Sequence, residues 1–142
     1  MLADPYSNAL LELAGSLPPA RRLDAPQATS TKRSRVCGSE VTVDLSVADG
    51  VVSDFAIDAK ACALGQGSAG AVAAAIIGAH ADELRRVRDE MRAMLKEGGE
   101  PPTGERWARL ADLQPIKDYP ARHASTLLVF EAVVDCLDQI GA

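Results

Sequence analysis

The sequence predicts an α+β domain, a small antiparallel sheet with helices packed on one face. Two stretches that alternate apolar and polar residues are joined by Asp49-Gly50, the signature of a β-hairpin. A run made almost wholly of Ala, Gly, Ser, Val and Ile follows, and later segments carry apolar residues at helical spacing. The 142 residues, 47% hydrophobic and 25% charged, suit one domain over 1–142 that needs no disulfide or metal merely to fold.

Leu10, Leu11, Leu13, Ala14 and Leu17 share one helical face ahead of Pro18-Pro19, which predicts a short helix over 7–17. Residues 23–35 lack any period and read as a loop. Val41, Val43, Leu45 and Val47 alternate with Thr42, Asp44 and Ser46, a strand with one face on a core. Asp-Gly accepts the positive φ of a tight turn, and Phe55 and Ile57 then alternate with Asp54 and Asp58 in a second strand over 51–59. A third strand is placed at 36–40. The small-residue run predicts a buried helix over 66–79, with His80 as a partner to its C-terminal cap. Leu84, Val87, Met91, Met94 and Leu95 make 82–96 an amphipathic helix, stopped by Gly98-Gly99 and Pro101-Pro102. A short helix over 107–113 and a long one over 121–140 finish the chain, which has no internal repeat.

The net charge of -5 is spread among interspersed acids and bases, so no basic field exists to attract nucleic acid. The longest apolar stretch, 69–79, is about half of a bilayer span, and no membrane association is expected. The N-terminus lacks a basic start, an apolar run and a cleavage site. Three cysteines, an odd number, argue against a disulfide framework and for a reducing compartment, with the cytoplasm as the expected location.

Cys37 precedes the first strand of the hairpin, and Cys62 follows the second at the start of the small-residue helix. A hairpin brings the beginning of its first strand close to the end of its second, so the two thiols are expected to converge. A helix N-terminus also favours the thiolate at Cys62. The competing reading makes both cysteines small buried hydrophobes, and spacing alone leaves the two readings level. No histidine is placed by pattern beside either cysteine and no acid completes a triad, so the chain is not expected to be an enzyme.

Tyr6-Ser7, Val36-Cys37-Gly38, the hairpin, Ala61-Cys62-Ala63 with Ser68-Ala69, and Tyr119-Pro120-Ala121-Arg122 together resemble the IscU, SufU and NifU N-terminal family of iron–sulfur cluster assembly scaffolds. The resemblance covers nearly the whole chain. The long charged segment before Tyr119, with Leu110-Ala111-Asp112-Leu113 and Pro120-Ala121-Arg122, is similar in layout to SufU. What the resemblance implies is a scaffold, or a sulfur or iron carrier, that holds iron or a transient [2Fe-2S] cluster, with zinc as an alternative metal. It also implies a cysteine desulfurase as partner, and a monomer or weak dimer is expected. Family members use three cysteines and an aspartate as ligands. Here the Cys-Gly-Asp motif reads Cys37-Gly38-Ser39, the second cysteine is Cys62, and the third cysteine position falls on Ser125, a poor ligand for zinc or iron unless deprotonated.

Cys37 and Cys62 are therefore the expected ligands, with His123 and Ser125 as candidates to complete the shell. Imidazole suits zinc and iron, and the competing reading of His123 is a solvent-facing or first-turn residue. Glu40 is a weaker candidate on strand alternation. Cys136 lies about 16 Å beyond Ser125 at 1.5 Å per helical residue, too far to replace the missing thiol, and is assigned to the core. The alternative function is an interaction module of the assembly system that keeps the scaffold fold without binding metal.

Overall fold

A computed structural model describes residues 7–35 and 38–142. Helix α1 (Asn8–Gly15) opens on Ser7, whose hydroxyl accepts the Leu10 amide at 3.2 Å as an N-cap. Three antiparallel strands follow, β1 (Ala28–Arg33), β2 (Glu40–Ala48) and β3 (Val51–Lys60), in the spatial order β1-β2-β3. Then come α2 (Ala63–Ala75), α3 (Ala81–Glu97), a series of 3-10 turns over Glu105–Asp118 and Pro120–Arg122, and α4 (His123–Ile140).

The hairpin forms as its sequence dictates. Asp49 and Gly50 both take positive φ, 54° and 77°, the geometry that matches the twist of the two strands. Val41, Val43 and Leu45 are buried on one face of β2. The register slips between Ser46 and Val47, a bulge that lets Val52 and Phe55, three apart, both reach the core. The five apolar residues predicted to form the inner face of the amphipathic helix are all buried on α3, which ends at Gly98 in the left-handed conformation.

Three expectations change. The third strand is β1 at 28–33, within the segment read as loop, and not 36–40. Of that segment, 36 and 37 lie outside the described residues, 38 and 39 are not extended in the sheet, and Glu40 begins β2. Strand β1 reads Ala-Thr-Ser-Thr-Lys-Arg and has no apolar face of its own. It is held by β2, with Thr31 and Thr42 hydroxyls 2.9 Å apart and Ser30 donating to Asp135 of α4 at 2.7 Å. His80 caps α3 rather than α2: α2 stops at Ala75, and the His80 amide donates to Glu83 at 3.2 Å. The segment around Trp107 is not an α-helix. Trp107, Leu110, Leu113 and Ile116 are buried at every third position, the period of a 3-10 turn.

Helix α4 lies against β1, β2, α2 and α3 and buries most of its residues, as a helix enclosed on nearly all sides must. The opposite face of the sheet is closed by a polar anchor. Asp44, fully buried, accepts Arg22 Nε at 2.6 Å, Arg22 Nη2 at 3.0 Å, the Leu23 amide at 2.9 Å and Thr29 Oγ1 at 2.6 Å. Burial raises its carboxyl pKa, but these hydrogen bonds and the Arg22 charge outweigh it and hold the group below its ordinary value. None of the described helices is long and apolar enough to cross a membrane.

Small residues let α2 come close to its neighbours. A Cβ on Gly70 would overlap the Leu13 carbonyl oxygen of α1, and one on Gly67 would overlap the end of the Leu10 side chain. A helix-interior Gly→Ala change gains about 1 kcal/mol of helix propensity, whereas overpacking costs about 1–3 kcal/mol. Gly70→Ala is therefore expected to lower the urea midpoint, because the obstacle is backbone. Gly15→Ala, with open space around it, should leave the midpoint unchanged or raise it.

A second expectation concerns acid. Because the folded pKa of Asp44 is depressed, its contribution is full above the unfolded carboxylate value of about 3.9 and is lost as pH falls through the folded value. Urea midpoints measured at falling pH should show an acid limb that is shallower in Asp44→Asn. At neutral pH the variant should be less stable by about 1–3 kcal/mol, the range for disturbing hydrogen bonds to a buried charged group.

Candidate functional site

The ladder of the hairpin ends on the pair Glu40 and Lys60, and two residues later Cys62 stands as the N-cap of α2, extended at φ -66°, ψ 172°. Its side chain makes no capping bond, so the sulfur is left for other contacts. Gly65, one turn into α2, has no side chain to keep α4 away: a Cβ there would sit 2.8 Å from Ala61 Cβ and 3.3 Å from the Ser125 carbonyl oxygen. The first turns of α2 and α4 therefore meet, and Cys62 Sγ lies 3.8 Å from Ser125 Oγ as a thiol donor. The third ligand position implied by the resemblance is thus a direct neighbour of the second.

Ser125 is 1% exposed and its hydroxyl donates to the Arg122 carbonyl at 3.1 Å. Thr126, also buried, donates to the same carbonyl at 3.0 Å. Cys37 lies outside the described residues. On either side of it, the Ser34 amide donates to Ser39 O at 2.8 Å, and the Gly38 amide donates to Ser34 O at 2.9 Å, with Gly38 at φ 71°. Ser39, where the resemblance implies an acid, is buried, and so is Ser34, whose hydroxyl has no hydrogen-bond partner among the described residues.

His123 is the first residue of α4 and is buried rather than facing solvent. Its Nε2 lies 3.0 Å from the Ile116 carbonyl oxygen and 3.1 Å from that of Lys117. Two carbonyl acceptors require a proton on Nε2, which leaves Nδ1 as the only nitrogen of the neutral ring able to ligate. Glu40 is committed to Arg33, and that guanidinium holds its carboxyl below the ordinary value. Cys136 is fully buried with Sγ 3.6 Å from Val43 O. Burial, with Asp135 and Asp44 nearby, pushes its thiol up to about 12, as expected of a packing residue.

Among the described residues no cluster of three or more His, Cys, Asp or Glu could hold a metal ion. Among the described residues the donors at this junction are one thiol with a hydroxyl beside it. Sequence reasoning named Cys62 and Ser125 but missed Thr126 and Gly65. The signal for Thr126 was available, because Ser125 and Thr126 stand three and four residues after Arg122, positions from which a hydroxyl reaches back to a helix carbonyl.

Fold and site together define an α+β protein with a thiol at the junction of a β-hairpin and a small-residue helix. No family model matches the chain. A curated relative, the iron–sulfur cluster assembly scaffold protein IscU of Thermotoga maritima, is 30% identical over 136 residues, covering 96% of this chain and 94% of its own. The crystal structure of a nitrogen-fixing NifU-like protein (N-terminal) from Brucella abortus is 52% identical and superposes with a TM-score of 0.93, over 96% of this chain and 94% of that one. A putative iron–sulfur cluster assembly scaffold protein for the SUF system from Fervidobacterium islandicum shares the fold, with a TM-score of 0.84 at 20% identity over 94% and 96% of the two chains. The chain belongs to the iron–sulfur cluster assembly scaffold family.

The contrast between Cys62, half-buried, and Cys136, enclosed, has a direct test. In Cys37→Ser protein, a thiol reagent such as 5,5′-dithiobis(2-nitrobenzoate) should modify Cys62 under native conditions, while Cys136 reacts only after denaturation. Equal native reactivity of the two would contradict the burial.

Proposed function

We propose that this chain is an iron–sulfur cluster assembly scaffold or carrier that receives iron or a nascent [2Fe-2S] cluster as transient cargo through Cys37 and Cys62. The observation that carries the reading is the position of Cys62: a half-buried thiol at a helix N-terminus, directly beside Ser125, where the resemblance implies a third ligand. Thiolate sulfur suits iron, iron–sulfur clusters and zinc. The end of the hairpin next to α2 supports the convergence of the two thiols, since Glu40 and Lys60 are paired there.

Two thiolates leave an open shell, which His123 through Nδ1, a hydroxyl, or a ligand from a partner protein would complete. Such a shell exchanges its cargo more readily than a closed set of four. The chain itself carries out no bond-making chemistry in this reading. A cysteine desulfurase supplies the sulfur, as family membership suggests, and the protein works in the cytoplasm as one domain.

Anaerobic incubation with ferrous iron, cysteine and a cysteine desulfurase should give the wild-type protein a visible absorbance and bound iron in stoichiometric amount. Cys37→Ser and Cys62→Ser should each lose most of both. Ser39 and Ser125, where the resemblance implies an acid and a third cysteine, favour a second reading, an interaction module without metal. A wild type that stays colourless and metal-free while it still binds the desulfurase would establish that reading instead.

A further inference from the structure

We propose that the far end of α2 carries a docking site for an acidic segment of a partner protein, one that presents a single bulky apolar side chain next to carboxylates. Between the end of α1, the second half of α2 and the 3-10 turns lies an open cavity of about 270 Å³. Leu13, Ala71, Trp107 and Leu110, all buried, form its apolar floor, and Arg106 and Arg109 stand on its rim. Cys62 caps the opposite end of α2. At 1.5 Å per residue from 62 to 74, Ala74, which also lines the cavity, is about 18 Å along the helix from that thiol. An anchor seated in the cavity therefore leaves the thiol end of α2 free.

Size and charge select the occupant. Sites for drug-sized ligands run to about 300–1,000 Å³, whereas an apolar cavity of about 150 Å³ already takes a benzene ring. The volume here suits one large side chain, the anchor of a protein contact. Apolar surface also continues beyond the cavity: Ile77 is 53% exposed and its carbonyl is held by Arg106, so a chain crossing the rim would cover it. The rim itself is cationic in a chain of net charge -5. Arg106 is fixed in place, since Nη1 donates to the Ala75 and Ile77 carbonyls at 2.6 and 2.9 Å and Glu83 lies 3.6 Å from Nε. Arg109 is half exposed, and its carboxylate neighbours, Glu12 at 3.8 Å and Asp112 at 3.7 Å, stand beyond hydrogen-bond distance. Its N–H groups stay open to an incoming carboxylate, the acceptor that a planar guanidinium fits best. Charge complementarity thus calls for acidic residues beside the anchor, with Glu12 as the internal competitor.

Trp107 is the only tryptophan of the chain, so its emission and its indole N–H resonance report on the cavity wall. The probe is a capped peptide with one phenylalanine flanked by aspartates and glutamates, titrated into the full chain at low ionic strength. A saturable shift of the Trp107 signals is expected. Ala74→Leu, which fills the cavity from an exposed helical position, should abolish it at unchanged melting temperature. Arg109→Gln should weaken binding about two- to fivefold, the range of an exposed ion pair, and Glu12→Gln, which removes the competing carboxylate, should tighten it by a similar factor. Added salt should weaken binding, and a peptide with Asn and Gln in place of the acids should bind less tightly and without that salt dependence. If Ala74→Leu lowers the melting temperature, the opposite signs of Arg109→Gln and Glu12→Gln carry the result.

No saturable change in the wild type overturns the proposal. Equal binding of the acid-free peptide reduces the cavity to unselective apolar surface and overturns it as well. Phenylacetate that binds as tightly as the peptide makes this a small-molecule site, and a Trp107 shift that grows with protein concentration in the absence of peptide makes it a contact between copies of the chain. Either outcome overturns docking of an acidic partner. None of these measurements involves metal, so their result stands apart from that of the carrier reading.

Discussion

The close approach of α2 to its neighbours is the constraint on which the rest of the structure depends. Gly67 and Gly70 admit α1 on one side, and Gly65 admits the backbone of Ser125 on another. Glycine inside a helix costs about 1 kcal/mol relative to alanine, and α2 carries three such positions. The cost is offset by dense packing, since each side chain omitted lets whole elements make contact at distances where dispersion is effective. Were α2 held a side chain's width further from α4, Cys62 and Ser125 would no longer touch. The packing of the domain and the geometry of the site therefore share one cause.

The sheet closes its two faces by different physics. Toward α4 it presents Val41, Val43 and Leu45, buried by the hydrophobic effect without regard to direction. On the other face Asp44 is taken out of water, which is unfavourable unless its oxygens are fully bonded, and Arg22, the Leu23 amide and Thr29 provide that bonding. The apolar face supplies most of the favourable free energy. The carboxylate adds direction, since it ties the segment before β1 to one place on the sheet, and with it the start of the polar strand β1.

The residues of this chain differ from the ligand set that the resemblance implies. The resemblance implies an acid and a thiol at the positions of Ser39 and Ser125, both of which are buried. A hydroxyl in place of an anionic ligand would remove charge from such a site, and with it much of the attraction for a divalent cation. What stays is a thiol in a polar junction. The same residue type placed eleven residues beyond Ser125, at Cys136, is chemically silent because the core around it disfavours the thiolate. Environment, not identity, separates the two cysteines.

The hairpin and α3 were legible because each carries its own periodicity: alternation around Asp49-Gly50 in one, apolar residues at 84, 87, 91, 94 and 95 in the other. The family and the placement of Cys62 at a helix start were legible too, since they depend on local residue order. Strand β1 was not, because Ala-Thr-Ser-Thr-Lys-Arg gains its strand geometry from pairing with β2 and from Asp135 of α4, far away in sequence. His80 was assigned to the wrong helix for a related reason: its neighbours suit either end, and the Glu83 carboxylate decided between them. Sequence by itself determined the class of fold and the thiol at its centre, because those follow from patterns within one segment. Only the tertiary structure decided that Cys62 faces Ser125, that His123 spends Nε2 on two carbonyls, and that Thr126 backs Arg122. Each of those is a contact whose direction depends on how separate segments come together, and no local pattern carries that information.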